Sequence, residues 1–233
     1  VGTAEEVAGM IAEFVPVATA LLGLRDLKII TFGPRPDDFL ACNAPVKPLY
    51  NLGVEIEENS ELDLLVAYRA HANDPRIPSV MADMAAELGE NNKYQGVLPR
   101  LAQYELTLLD WAEEHKGARR YVAIAGKCWP AFQTEFGFVP CYVNSRLTAK
   151  GIPVSCEVDV YGALSEYIGI CVTGKPVTLL DINNSVPAAI YNDDIAGKYD
   201  IRFTDTFMGF HCGNTPSCLL KNAHMGYQLI MKR

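Results

Sequence analysis

The chain has 233 residues, 49% of them hydrophobic, and a formal net charge of −8 at pH 7. That length suits one large domain or two modest ones, and the acidic balance, with Lys and Arg scattered, argues against nucleic acid as a partner because a negative field repels phosphate backbones. No apolar run reaches the ~18 residues that cross a bilayer, no basic n-region precedes an apolar h-region, and seven cysteines without a C-x-x-C pair fit a reducing, cytoplasmic compartment.

The first element is a predicted helix from Thr3 to Leu22. Thr3 and Glu6 form a capping box, Val7, Met10, Ile11 and Phe14 share a face, and Pro16 is expected to kink or end the helix. LKIITFG (27–33) reads as a short buried strand and Val54-Glu55-Ile56-Glu57 as a second. Ser60 caps a helix to about His71, and further helices fit 77–88 and 94–116. YVAIAG (121–126) is another buried strand, and Pro130 to Phe138 starts a helix. Helix and strand alternate to this point, which predicts an α/β fold with a Rossmann-like parallel sheet over residues 1–150. After residue 150 the strand-like runs IPVSCEVD, PVTLLDI, PAAIYN, YDIRFTDTF and MGYQLIM (225–231) crowd together around one helix at 160–173, so residues 151–233 are expected to be the start of a β-rich domain.

Two phosphate-binding motifs are excluded. GICVTGKP (169–176) has Pro where a P-loop needs Ser or Thr, and Gly174 is better explained as a helix C-cap. No G-x-G occurs, so the dinucleotide fingerprint is absent.

The chemistry-bearing candidates lie elsewhere. Glu157 and Asp159, two apart in CEVDV, fall on one face of a predicted strand, either as a solvated face or, for Asp159, at a strand end where ligands gather. Asp159 also suits an N-cap. Glu135 sits in WPAFQTEFGF among aromatic residues, where a buried carboxylate needs a partner or a metal. His211 stands where an apolar strand enters the turn HCGNTP, and Cys212 and Cys218 lack the second thiolate pair of a zinc site. Oxygen donors with one imidazole suit Mn²⁺ or Mg²⁺.

AIAGKCWPAFQTEFGFVPCYVNSRLTAKGIPVSCEVDVYGAL (123–164) with FMGFHCGNTPSC (207–218) resembles the L-fucose/L-arabinose isomerase superfamily, nearer its fucose isomerase-like branch. The resemblance implies a metal-dependent aldose–ketose isomerase acting on a pentose, hexose or deoxyhexose through a cis-enediol. It implies Mn²⁺, or another divalent cation such as Mg²⁺ or Co²⁺, and a homo-oligomer, hexameric in many members. Glu135 matches the family's first metal-binding glutamate and Asp159 the fucose branch's metal-binding aspartate; His211 resembles the arabinose branch's ligating histidine. The resemblance places the chain in the middle and early C-terminal part of a longer protein. It leaves the fucose branch's late histidine outside the sequence, so the piece alone is expected to be inactive. The competing reading is a non-catalytic sugar-binding α/β module, since fold does not fix function.

Overall fold

A computed structural model describes residues 2–211 and 213–227. Strand β1 (Leu27–Phe32) is central in a parallel sheet with β2 (Glu55–Asn59), β3 (Tyr121–Gly126) and β4 (Val154–Ser155), in the order β2-β1-β3-β4. The side chains of β1 and β3 alternate between two cores. Ile30, Phe32, Val122 and Ile124 face one; Leu27, Ile29, Ala123 and Ala125 face the other. Burial on both faces is why these strands read as continuous apolar runs.

The first core is covered by α3 (Glu61–Ala70), α4 (Ile77–Leu88), α5 (Leu98–His115) and α6 (Cys141–Ala149). The second is closed by α7 (Val160–Thr173), by Leu49 of α2 (Lys47–Asn51) and by the end of α1 (Ala4–Leu24). Thr3 and Ser60 cap their helices reciprocally with Glu6 and Asp63, and Gly174 ends α7 at φ +63°, the left-handed conformation that favours glycine.

Two expectations need correction here. Pro16 does not end helix α1, which spans 21 residues in all, eight of them beyond the proline, and buries Ala20, Gly23 and Leu24. The apolar run breaks at Glu13 and Pro16 in the sequence, but the helix carries both, and by length and composition it is able to cross a membrane. The dense β structure after residue 150 is also not seen. Strand β4 completes the first sheet, PAAIYN forms most of helix α8 (Ala188–Asp194), and among the described residues beyond it only β5 (Asp181–Asn183) and β6 (Met208–Phe210) pair, antiparallel. The segment read as a strand at 225–231 lies partly outside the described residues.

Candidate functional site

Parallel strands bring their carboxyl ends to one edge, where ligand crevices form. Between β1 and β3 that edge is filled: Lys127 Nζ meets Glu61 Oε2 at 3.3 Å, and a cavity of only about 10 Å³ remains. The next opening is the turn from β4 to α7. It was expected to extend the strand, with Glu157 and Asp159 on one face. Instead the strand stops at Ser155, and Glu157 and Val158 take φ values of +57° and +52°. Two successive non-glycine residues in that region, one β-branched, store roughly 1–3 kcal/mol each. The turn is held by Val158 N donating to Gly126 O at 3.1 Å, Asp159 N to Cys156 O at 2.9 Å, and Ser155 Oγ to Asp159 O at 2.6 Å. Val158 is buried in the second core, which pins the conformation. Asp159 then caps α7, its Oδ1 accepting from Gly162 N at 2.9 Å.

The turn meets the 208–215 segment. Ligand atoms of Cys156, Glu157 and His211 lie within 4.8 Å of one another. His211 Nδ1 accepts from the backbone amides of Gly213 and Asn214, both at 3.3 Å. A neutral ring so held carries its proton on Nε2. Asn214 is fixed in turn, donating from Nδ2 to Val154 O at 2.6 Å.

Negative charge concentrates here. The Cys42 thiol is pushed up to about 11, first by burial and then by the charges of Asp159, Glu157 and Asp181. Glu166, on α7, is 2% exposed, and its pKa is raised to about 7. Burial is the main cause and the Asp159 charge adds to it; the Leu179 amide and His211 act in the opposite direction. Neither Glu166 oxygen completes a hydrogen bond among the described residues.

Glu135 stands apart from this group. It lies on a π-helical turn, Phe132–Phe136, in which the two phenylalanines are buried and Glu135 is turned outward, 54% exposed and 4.0 Å from Arg69. The aromatic residues around it in sequence therefore face the core, not its carboxylate. Among the described residues the clusters of three metal-ligating side chains are Cys156–Glu157–His211 and His71–Asp74–Asp110, and Glu135 and Asp159 belong to neither. The second cluster already holds a cation, because Arg76 pairs with Asp74 at 2.6 Å and with Asp110 at 2.5 Å. Cys212 lies outside the described residues.

Sequence reasoning passed over Cys156, Glu166 and Asp181. A signal for Glu166 was present: it is the lone charged residue between Asp159 and Lys175. An acid in so apolar a helix must be buried or exposed on purpose. Asp181 and Cys42 carried no signal, since the fold alone brings them to the turn.

His211 also lines a cavity of about 700 Å³ that opens between the first turns of α5 and α6 and residues between 213 and 227. Helix α5 ends at the amino edge of the sheet, where Lys28 Nζ donates to His115 O at 2.6 Å, so its start lies at the carboxyl edge with the turn. His211 thus stands between a cavity and a group of acids.

No protein-family model matches the chain. Curated relatives do. The chain is 36% identical over 107 residues to a sulfoquinovose isomerase of Clostridium sp. (strain MSTE9), an alignment covering 46% of this chain and 20% of that protein. It is 28% identical over 158 residues to a sulfoquinovose isomerase of Priestia aryabhattai, covering 66% of this chain and 34% of that protein. A sulfoquinovose isomerase of Alkalicoccus urumqiensis is 28% identical over 152 residues, covering 62% and 32%. The chain therefore spans about a fifth to a third of the length of the relatives it matches.

Proposed function

We propose that this chain is part of a divalent-cation-dependent aldose–ketose isomerase acting on a monosaccharide, in the manner of the sulfoquinovose isomerases it is similar to. The observation that carries the reading is Glu157 beside His211 and Cys156 at the carboxyl edge of a parallel sheet, with Asp159 and Asp181 adding their charge to that of Glu157 at Cys42. Three carboxylates whose charges all act on the Cys42 thiol, one of them beside an imidazole, make a region that favours a cation, and an oxygen-rich set with one imidazole suits Mn²⁺, Mg²⁺ or Co²⁺. Asp159 would hold the ion through the oxygen its cap leaves over, with Glu135 brought in as the resemblance implies and His211 as the third ligand. Ligation through Nε2 of His211 would put the ring proton on Nδ1, so Nδ1 would have to give up accepting from the Gly213 and Asn214 amides. When bound, the ion supplies Lewis acidity at the sugar's O1 and O2.

The chain's own groups handle protons. A carboxylate, Glu135 or Asp159, takes the C2 proton while O1 gains one, giving the cis-enediol; return of a proton to C1 and loss of one from O2 gives the ketose. Glu166 keeps a proton near pH 7 beside Asp159 and His211, which suits a reserve for these transfers. We place the working protein in the cytoplasm as a homo-oligomer, as the resemblance implies. The test is isomerisation by the full-length protein that carries these residues, with Mn²⁺ binding followed by electron paramagnetic resonance. Asp159→Asn and Glu135→Gln are expected to lower turnover by at least ~100-fold and to weaken Mn²⁺ binding about tenfold or more. Normal turnover in Asp159→Asn sinks the proposal.

A further inference from the structure

We propose that the cavity beside His211 takes the charged tail of an anionic monosaccharide, with Arg100 gripping a sulfonate or phosphate group. This rests on the isomerase reading for the sugar, but the anion is argued from the cavity itself. At about 700 Å³ the cavity is within the range of small-molecule sites, roughly 300–1,000 Å³. Its lining is unlike the rest of the chain. The protein carries 28 Asp and Glu against 20 Lys and Arg, yet among the described residues no Asp or Glu lines this cavity. Among the described residues Arg100 is the one Lys or Arg in the lining, joined by His211 and His224. The guanidinium is not committed to a neighbour's charge. Nη1 donates to Gly137 O at 3.2 Å, and among the described residues no carboxylate lies within 4.0 Å. That leaves most of its five donors for a tetrahedral oxyanion, the group a guanidinium fork matches.

The arrangement also sets a direction. Arg100 and the carboxylates of the turn share the carboxyl edge of the sheet, with His211 lining the cavity and touching the turn. An anionic tail is attracted at one end and repelled at the other, so the sugar enters tail toward Arg100 and reacting carbons toward His211. An uncharged sugar gains no such bias, and the cavity offers it no carboxylate to accept its hydroxyl protons.

Calorimetric titration of this chain with sulfoquinovose, glucose 6-phosphate and glucose tests the proposal. Sulfoquinovose is expected to bind at least tenfold more tightly than glucose. Arg100→Met should lower sulfoquinovose affinity at least tenfold and leave glucose unchanged; Arg100→Lys, which keeps the charge but not the fork, should fall between. Arg100 is exposed and circular dichroism should show the fold intact in both variants. Tight binding of glucose 6-phosphate would define a site for any tetrahedral oxyanion, weak binding one selective for sulfonate, and either supports the anion site. Equal affinity for sulfoquinovose and glucose, unchanged affinity in Arg100→Met, or no binding of any probe overturns it. Because binding is read without turnover, an intact Arg100 effect in a protein that isomerises nothing would overturn the isomerase reading alone.

Discussion

Each face of the parallel sheet buries a glutamate, and the two faces treat it in opposite ways. On α5, Glu105 is 0% exposed; Arg146 Nε donates to it at 2.6 Å, and Lys150 pairs with its other oxygen. On α7, Glu166 is 2% exposed and has no Lys or Arg partner among the described residues, while the nearby Asp159 charge opposes its ionisation. The first carboxylate is paired with cations and ties α5 to α6. The second is held near its titration point by an environment that neither pairs nor releases it. Strained turns, converging acids and the Glu166 carboxyl all lie on the α7 side, whereas the α5 side is aromatic packing: Tyr104 with Phe132, Phe136 and Phe138 at centroid distances of 5.3 to 6.2 Å. Beneath α5 the sheet is held by packing and paired charge, whereas, among the described residues, the strained turn and the unpaired acid gather on the α7 side.

The strongest way to break this contrast is to remove a cation from the stabilising face. Arg146→Met leaves Glu105 buried with Lys150 alone. Stranding a buried charge typically costs about 3–5 kcal/mol, so a large fall in the urea midpoint is expected. A loss below 1 kcal/mol would mean that Glu105 is not held by its pairing.

The second test acts on the other face and has the opposite sign. The Glu166 pKa is about 7 in the fold against an ordinary 4.5. Between those pH values the folded chain binds a proton that the unfolded chain has released, so stability falls as pH rises from 4.5 through 7 and stays lowered above. Glu166→Gln removes the titration. It should match the parent at pH 4 and exceed it by about 1–3 kcal/mol at pH 8. A Gln variant less stable than the parent at pH 8 would show that the charged carboxylate is needed for folding.

Most of the sheet was legible in the sequence because local signals agree with the fold there. LKIITF and YVAIAG are apolar on both faces, and Thr3, Ser60 and Gly174 are read as caps by their own chemistry. The trailing segment was misread because β-branched and aromatic residues in PAAIYN and YDIRFTDTF raise strand propensity wherever they fall, and propensity yields to tertiary context. The candidate site was half legible. Asp159 as a cap and His211 at a strand-to-loop junction follow from their neighbours in sequence. The turn at Glu157-Val158 does not, since nothing in CEVDV announces two left-handed residues where alternation suggests a strand. The meeting of Asp181 and Cys42 with that turn depends on long-range folding and has no local trace.

A smaller effect separates the two duties of Asp159, as a helix cap and as a proposed ligand. Asn caps a helix as well as Asp does, whereas Ala forfeits about 1 kcal/mol. Asp159→Asn is expected to keep stability within about 0.5 kcal/mol while losing Mn²⁺ affinity, and Asp159→Ala should lose both. If Asn and Ala variants bind Mn²⁺ as the parent does, Asp159 is a cap and nothing more.

The smallest expected change is the one that bears most directly on why the α7 side is strained. Glu157 stands at φ +57°, a conformation glycine reaches freely and other residues at roughly 1–2 kcal/mol. Glu157→Gly removes that strain but also deletes the side chain that meets Cys156 and His211. It also gives the unfolded chain more freedom, by roughly 0.5–1 kcal/mol. The two backbone effects nearly cancel, so the urea midpoint should move by less than about 1 kcal/mol in either direction. Mn²⁺ binding should weaken, because the carboxylate beside His211 and Cys156 has gone. The adjacent Val158 is no substitute for this experiment: its side chain fills the second core, and trimming it to glycine mixes strain with a cavity. A stable Glu157→Gly protein with unchanged Mn²⁺ affinity would show that the left-handed turn serves only the chain's path into α7. A stable protein with weakened affinity would tie the strain to the placement of a charge.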